Sequence, residues 1–208
     1  MSSKNYLSIY AKSFNWAGFF LPKKTYKNCS YLYDFCRVVD NIADDEGEIE
    51  IKKIKFQKFV SDFKQKNFEN PVIQNMWNII HEFNISLEII YDLFDGIESD
   101  IKQNVKIDTR KDLLIYCYRV AGTVGLMMAK ILNVNKKQSL KSAIDLGIAM
   151  QLTNISRDVI EDSKKNRSYI KGSFEELPFL WITTPFFASI YRENHYSTEE
   201  IQHIPPRS

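Results

Sequence analysis

Apolar residues recur at three- and four-residue steps along most of the chain, a spacing that places them on one face of an α-helix. Within residues 24–45, for example, Leu32, Phe35, Cys36 and Val39 follow this spacing. No alternation of apolar and polar residues is sustained over several segments, as the strands of a half-buried sheet would require. The pattern therefore predicts an all-α fold.

Capping residues and helix breakers give approximate limits to the predicted helices. Asn70 followed by Pro71 is typical of a helix start, with Asn as the N-cap and Pro at the first helical position. The other helices are predicted over residues 1–22, 24–45, 49–68, 84–101, from Asp108 and Thr109 onward, and over 139–162. Since no internal repeat or low-complexity linker is present, residues 1–208 are expected to form a single domain.

Composition agrees with a helical fold and narrows the range of partners. The 208 residues include 7 Gly and 6 Pro, fewer than folds rich in strands and tight turns normally need. Lys and Arg total 28 against 26 Asp and Glu, and the basic residues are scattered, which argues against nucleic-acid binding. Cys29, Cys36 and Cys117 lie in apolar stretches without a metal-binding motif, so we expect buried thiols in a reducing, cytoplasmic compartment.

One apolar stretch, residues 113–132, has about the length of a membrane span. It contains Arg119 and Lys130, which a span would have to place in lipid. We therefore interpret it as a buried core helix, in which Gly122 and Gly125 allow close packing or a kink.

Three Asp-x-x-x-Asp pairs stand out, namely Asp40/Asp44, Asp108/Asp112 and Asp158/Asp162. Asp108 and Asp112 bracket the start of a predicted helix, where acids cap free N–H groups and interact favourably with the positive end of the helix dipole. We interpret that pair as structural. The other two pairs lie within predicted helices, where a four-residue step places both carboxylates on one face.

Polar residues extend both remaining pairs into stripes. The early stripe consists of Tyr33, Arg37, Asp40 and Asp44, and the late stripe of Gln151, Asn154, Asp158 and Asp162. Like charges at this spacing repel, so two such stripes facing each other across a cavity would need cations. Oxygen ligands without His or Cys favour magnesium or manganese, and Arg37 and Arg157 would hold the oxygens of a diphosphate. The alternative is two solvated surface stripes without a ligand.

Five segments resemble the squalene and phytoene synthase family, and they occur in the family's order. They are Lys12-Ser13-Phe14 with Phe20-Leu21-Pro22, then residues 33–45, 94–100, 116–125, and 151–162 continuing to Tyr169. Residues 33–45 (YDFCRVVDNIADD) are similar to the family's first aspartate motif and residues 151–162 (QLTNISRDVIED) to its second. The resemblance covers about residues 8–170 and implies an isoprenoid-synthase helical bundle with a central cavity.

This resemblance implies that two molecules of geranylgeranyl diphosphate are coupled head to head to phytoene, through a cyclopropyl diphosphate and with release of diphosphate. One alternative is the same head-to-head coupling of farnesyl diphosphate, which gives dehydrosqualene by proton loss, hydroxysqualene by addition of water, or squalene by a reductive step. A second alternative is a non-catalytic relative that acts as an assembly factor. The implied cofactor is magnesium, with manganese as a substitute.

The motif residues carry over position by position. The implied metal ligands are Asp40, Asp44, Asn154, Asp158 and Asp162, and these four aspartates are also implied to be catalytic. The implied diphosphate contacts are Tyr10, Lys12, Ser13, Tyr33, Arg37, Gln151 and Arg157. The resemblance places Tyr116 near the reacting carbons, as a group for proton handling or cation stabilisation, whereas a core tyrosine is the structural alternative.

The resemblance fades after about residue 170. In the family further helices close the cavity, so residues 171–208 are expected to be a divergent or truncated tail, with the C-terminal helices missing. The expected partners are prenyl diphosphate substrates, and we expect a monomer or weak dimer. A lipophilic product is compatible with peripheral association of a cytoplasmic protein with the inner face of the membrane.

Overall fold

The chain forms a bundle of helices in a computed structural model that describes residues 18, 20–45, 47–101, 105–107, 109–164 and 167–168, with the backbone alone at 105–106, 159–164 and 167–168. The helices are α1 (Lys23–Asp44), α2 (Ile49–Lys64), α3 (Pro71–Glu82), α4 (Leu87–Asp100), α5 (Arg110–Cys117), α6 (Thr123–Ile131) and α7 (Lys137–Lys164). A π-helical turn, Tyr118–Gly122, joins α5 and α6 into one central helix. This architecture confirms the predicted all-α fold.

Side-chain caps fix several helix starts. The Asn70 side chain accepts a hydrogen bond of 3.0 Å from the backbone N–H of Val72, with Pro71 at the first helical position, as predicted. Thr109 caps α5 by accepting a bond of 3.1 Å from the backbone N–H of Asp112 and donates to its carboxylate over 2.6 Å. Asp112 therefore stabilises the start of α5, which agrees with its structural interpretation.

Aromatic rings fill the core between α1, α2, α3 and α4. The fully buried Phe35 ring has its centroid 5.6 to 6.0 Å from those of Phe63, Phe59 and Phe94. Trp77 stacks on Phe63 and donates its indole N–H to the carbonyl of Phe63 over 3.0 Å. This packing fixes the rotation of α1, so the polar stripe on the other side of that helix faces away from the aromatic core.

Glycines let the central helix approach α7 closely. A Cβ at Gly125 would lie 2.3 Å from the backbone oxygen of Ala143, and a Cβ at Gly147 would lie 2.4 Å from that of Ala121. The expected close packing at Gly125 is therefore confirmed. The π-helical turn, which ends at Gly122, adds a local irregularity to the same helix.

The central helix contains the stretch that has the length of a membrane span. Arg110–Ile131 is long and apolar enough to cross a membrane, judged by length and composition alone, and 44% of its most apolar window is buried. In the structure this helix packs against α4 and α7, as the core-helix interpretation predicts.

Two short strands differ from the sequence prediction, which contains none. Val105–Lys106 (β1) pairs in parallel with Arg167–Ser168 (β2), with Val105 opposite Arg167. Strands of two residues are too short to show as an alternating pattern. Their pairing joins the segments that follow α4 and α7, so the ends of these two helices lie at the same end of the bundle. The predicted helix over 1–22 and the tail at 171–208 lie almost entirely outside the described residues.

Candidate active site

A polar cleft lies where the later halves of α1, α4 and α7 meet the central helix. Its volume is about 310 Å³. The described residues that line it are Arg37, Asp40, Asp44, Asp100, Tyr116, Gln151, Asn154, Ile155, Arg157 and Asp158. The fold thus brings residues of the two acidic stripes to one cleft, although they are far apart in the sequence.

Helix α1 contributes the early stripe. Arg37 and Asp40 lie one turn apart, and Arg37 Nη1 donates to Asp40 Oδ2 over 2.9 Å. Asp44 lines the cleft one turn further on. Tyr33 is half-buried and does not belong to the described lining of the cleft. Burial raises the pKa of the Tyr33 hydroxyl, and the charge of Arg37 opposes that rise.

Helix α7 contributes the late stripe. The side-chain amide nitrogen of Asn154 donates to the side-chain oxygen Oε1 of Gln151 over 3.5 Å. Arg157 donates to both carboxylate oxygens of Asp158, from Nε over 2.7 Å and from Nη2 over 2.6 Å. Asp162 is one turn further along the α7 backbone, and its side chain lies outside the described atoms.

Buried isoleucines set the rotation of α7. Ile148 and Ile155 pack with Leu114 and Cys117 of the central helix in a second apolar cluster. Ile155 also lines the cleft, so the boundary between apolar core and polar site runs along this helix. The polar stripe of α7 is consequently turned toward α1.

The central helix adds Tyr116, which is 8% exposed. Its hydroxyl donates a hydrogen bond of 2.9 Å to the Asp100 carboxylate. Tyr116 therefore belongs to the buried cluster and also to the lining of the cleft.

Asp100 is a member of the site that the sequence reasoning did not select. It is the last residue of α4, where the negative end of the helix dipole disfavours an acid. That unfavourable position, and its place at the end of the family-like segment 94–100, were the signals available in the sequence. In the fold it faces the same cleft as Asp40, Asp44 and Asp158, so four carboxylates meet there.

A second Asp–Tyr contact joins α4 to the central helix outside the described lining of the cleft. Tyr118 donates to Asp92 over 3.3 Å. Burial, reinforced by Asp92, raises the pKa of the Tyr118 hydroxyl to about 12. The next residue is Arg119, whose Nη2 lies 4.0 Å from Asp95 Oδ2. These contacts hold the π-helical turn against α4.

A larger groove of about 460 Å³ lies between α2 and α4. Its described lining includes Phe56, Val60, Lys64, Tyr91 and Asp95, and none of the residues predicted to bind metal or diphosphate. Size alone therefore does not identify the functional site, and the chemistry of the lining favours the smaller polar cleft.

The donor atoms of the cleft fit a magnesium ion in kind. Asp40, Asp44, Asn154 and Asp158 offer carboxylate and amide oxygens, the hard ligands that magnesium and manganese prefer. Among the described side chains, however, no group of three or more His, Cys, Asp or Glu stands in an arrangement that would hold a metal ion.

Three predicted diphosphate contacts, Tyr10, Lys12 and Ser13, lie outside the described residues. Arg37, Gln151 and Arg157 are the members of that set that line the cleft. Two of these are guanidinium groups, which hold phosphate oxygens through paired N–H donors.

Known proteins with similar sequences include two curated bacterial enzymes. Phytoene synthase from Pseudescherichia vulneris is 31% identical over 176 residues, which is 79% of this chain and 57% of that protein. 4,4'-Diapophytoene synthase from Staphylococcus haemolyticus is 33% identical over 165 residues, or 77% of this chain and 58% of that protein. The chain thus spans less than two thirds of the length of these relatives.

A solved structure has a similar fold. The crystal structure of a dehydrosqualene synthase aligns with a TM-score of 0.70 at 27% identity, covering 96% of this chain and 76% of that one. A family model for squalene/phytoene synthases matches residues 7–171, a range that contains both acidic stripes and the central helix. This chain, with its two aspartate-bearing helices turned toward one cleft, belongs to the squalene/phytoene synthase family.

Proposed function

We propose that the protein is a prenyltransferase that couples two molecules of geranylgeranyl diphosphate head to head to phytoene, with magnesium as cofactor. The observation that carries this proposal is the meeting of both stripes in one cleft, with four carboxylates and two arginines. A cleft that holds both kinds of charge suits a ligand that combines a divalent cation with a diphosphate.

The residues of the cleft divide into two functional sets. Magnesium, or manganese in its place, would be held by Asp40, Asp44, Asn154, Asp158 and Asp162, and when bound it supplies charge stabilisation to the departing diphosphate. Arg37, Gln151 and Arg157 would hold diphosphate oxygens through N–H donors. Tyr33, one turn before Arg37, is proposed to contact the diphosphate from the rim, as are Tyr10, Lys12 and Ser13.

The coupling reaction requires that the site stabilise the departing diphosphate and that it offer no nucleophile to the allylic cation. Diphosphate must leave one substrate so that the resulting allylic cation can alkylate the double bond of the other, giving a cyclopropyl diphosphate after proton loss. A second loss of diphosphate, a rearrangement and a further proton loss give phytoene. Arg37 and Arg157 stabilise the departing anions, and the apolar side chain of Ile155 borders the cleft without offering a nucleophile to the cation.

Tyr116 is proposed to act on the reacting carbons, as the family resemblance implies. Its hydroxyl is held by Asp100 at the cleft and its ring is buried. We assign it proton handling or cation stabilisation, roles that need an oriented hydroxyl or an aromatic ring.

Farnesyl diphosphate is the competing substrate, because this chain is similar both to phytoene synthases and to enzymes named for shorter products. The relatives include a phytoene synthase at 31% identity and a 4,4'-diapophytoene synthase at 33% identity. The solved structure with a TM-score of 0.70 is a dehydrosqualene synthase. The depth of the cavity selects the chain length, so the product must be identified directly.

The test is incubation of the purified, folded chain with magnesium and either geranylgeranyl or farnesyl diphosphate, followed by identification of the hydrocarbon. Phytoene from the longer substrate is the expected result. A hydrocarbon from farnesyl diphosphate alone would establish the shorter-chain activity instead. If the folded chain consumes neither substrate, the enzymatic proposal fails for this polypeptide, and the assembly-factor alternative gains support.

A further inference from the structure

Both arginines of the cleft are engaged by acidic residues that the proposed metal would use. Arg37 contacts one oxygen of Asp40 over 2.9 Å. Arg157 contacts both oxygens of Asp158, over 2.7 and 2.6 Å. The guanidinium groups thus occupy carboxylate oxygens that a divalent cation would need as ligands.

The contact of Arg157 with Asp158 is unusual for neighbours on a helix. Adjacent residues point about 100° apart around the helix axis and do not normally face each other. The Arg157 side chain crosses that angle to place its two N–H groups on the two carboxylate oxygens. The geometry is the paired fork that guanidinium groups form with carboxylates and equally with phosphates.

We propose that Arg157 competes with the divalent cation for Asp158, and that the substrate diphosphate resolves the competition by taking over Arg157. This inference rests on the proposed function. A metal ion needs the carboxylate oxygens that the guanidinium covers, and the diphosphate offers the guanidinium an equivalent partner. Metal and diphosphate therefore bind with positive coupling, each improving the affinity of the other.

The position of Asp158 agrees with this role. Asp158 lines the same cleft as Asp40, Asp44 and Asp100, so its contact with Arg157 places a cationic group among four carboxylates. Departure of Arg157 would remove that cationic group from a carboxylate that the metal would use. Arg37, which contacts one oxygen of Asp40, has the same role to a smaller degree.

Manganese binding tests the competition without any turnover. Free Mn²⁺ is titrated against the full chain and followed by electron paramagnetic resonance, in the absence of diphosphate. Arg157→Gln removes the competing charge, so Mn²⁺ affinity should rise about five-fold, the scale of a partly exposed ion pair. Arg157→Lys keeps the charge and loses the fork, and its affinity should lie between the two. Lys137→Gln, on the same helix outside the described cleft, should equal the wild type.

The decisive result is a reversal of sign when diphosphate is added. With Mn²⁺ premixed with inorganic diphosphate, Arg157→Gln should bind the complex about ten-fold more weakly than the wild type, since a charge-assisted fork to the anion is lost. Equal or weaker binding of free Mn²⁺ by Arg157→Gln would overturn the proposal, as would wild-type affinity in Arg157→Lys. No Mn²⁺ binding by the folded wild type under either condition would overturn it too.

This experiment separates the inference from the proposed function. The reversal of sign in a chain that makes no hydrocarbon would support the exchange and refute the activity. If the wild type forms hydrocarbon and the Arg157→Gln variant binds Mn²⁺ as the wild type does, the activity is supported and the exchange is refuted.

Discussion

The Tyr116 hydroxyl donates a hydrogen bond of 2.9 Å to Asp100, and two residues further along the central helix Tyr118 donates one of 3.3 Å to Asp92. Both contacts join the same two parts of the fold, α4 and the central helix. The first lies at the cleft and the second does not belong to its described lining. The chain therefore contains its own matched control for the role of Tyr116.

Tyr116→Phe should lower hydrocarbon formation about a hundred-fold, the usual scale for a group that handles a proton in the reaction. Its free energy of unfolding should fall by about 1.5 to 3 kcal/mol, because a hydrogen bond to a charged group is lost. Tyr118→Phe should lose similar stability and keep the activity. Product assays and urea denaturation of both variants measure these effects. Equal activity losses in the two variants would show that Tyr116 acts only through the fold.

Asp100→Asn refines the same comparison. The amide oxygen still accepts the bond from Tyr116, whereas the negative charge is lost. Asp100→Asn should lower turnover more than Asp92→Asn, because the cleft loses a negative charge. Wild-type turnover in Asp100→Asn, combined with a defect in Asp100→Ala, would limit Asp100 to holding Tyr116 in place.

Gly125→Ala should destabilise the protein by about 3 kcal/mol, the cost of forcing a methyl group into a packed contact. The new Cβ would meet the Ala143 carbonyl oxygen at 2.3 Å, and backbone yields less readily than a side chain. Gly47→Ala is the control, because a Cβ at that position would have no described atom within 4 Å. Thermal unfolding of both variants measures the difference. Unchanged stability of Gly125→Ala would mean that α6 and α7 are further apart than described.

The cysteine thiols should react slowly near neutral pH. Burial raises the pKa of the Cys29 thiol to about 11 and that of Cys117 to about 12. Burial, with the Asp40 charge, also raises the pKa of Cys36 to about 12. Because the thiolate is the reactive form, a disulfide reagent at pH 8 should modify the folded chain about a hundred-fold more slowly than the unfolded chain.

The rise in these pKa values also has a consequence for stability. The folded chain holds the thiol protons more tightly than the unfolded chain, so this contribution is complete below pH 9 and declines as the pH rises toward 12. Unfolding in urea at pH 8 and pH 10.5 measures the decline. Rapid modification of Cys29 or Cys117 in the folded chain at pH 8 would contradict the burial of that residue, whereas Cys36 is only half-buried.

Much of the fold was predictable because its signals are local. The three- and four-residue spacing around Phe35 defines the buried face of α1, and Asn70 with Pro71 defines the start of α3. The two acidic stripes were visible for the same reason, as a four-residue step places both members of a pair on one face. The stripes also predicted divalent cations and a diphosphate held by Arg37 and Arg157, and the family resemblance then implied the individual metal ligands and diphosphate contacts.

The remaining features depend on contacts between distant segments. The parallel pairing of β1 with β2 involves two residues on each side, and no sequence period reveals it. Asp100 enters the cleft because α4 packs against the central helix, where Tyr116 donates to its carboxylate. The fork between Arg157 and Asp158 requires a side-chain conformation that neighbouring helix positions do not suggest.

The assignment of this cleft as the active site is tested by magnesium-dependent release of diphosphate from geranylgeranyl diphosphate, in the wild type and in the double variant Asp40→Ala, Asp158→Ala. The wild type should release diphosphate steadily, and the double variant should lose at least about a thousand-fold, since both stripes lose a metal ligand. The control is the double variant Glu50→Ala, Asp62→Ala, whose carboxylates pair with Lys53 and Lys58 outside the described cleft, and it should retain wild-type release. Release that survives in the Asp40→Ala, Asp158→Ala variant would contradict the assignment.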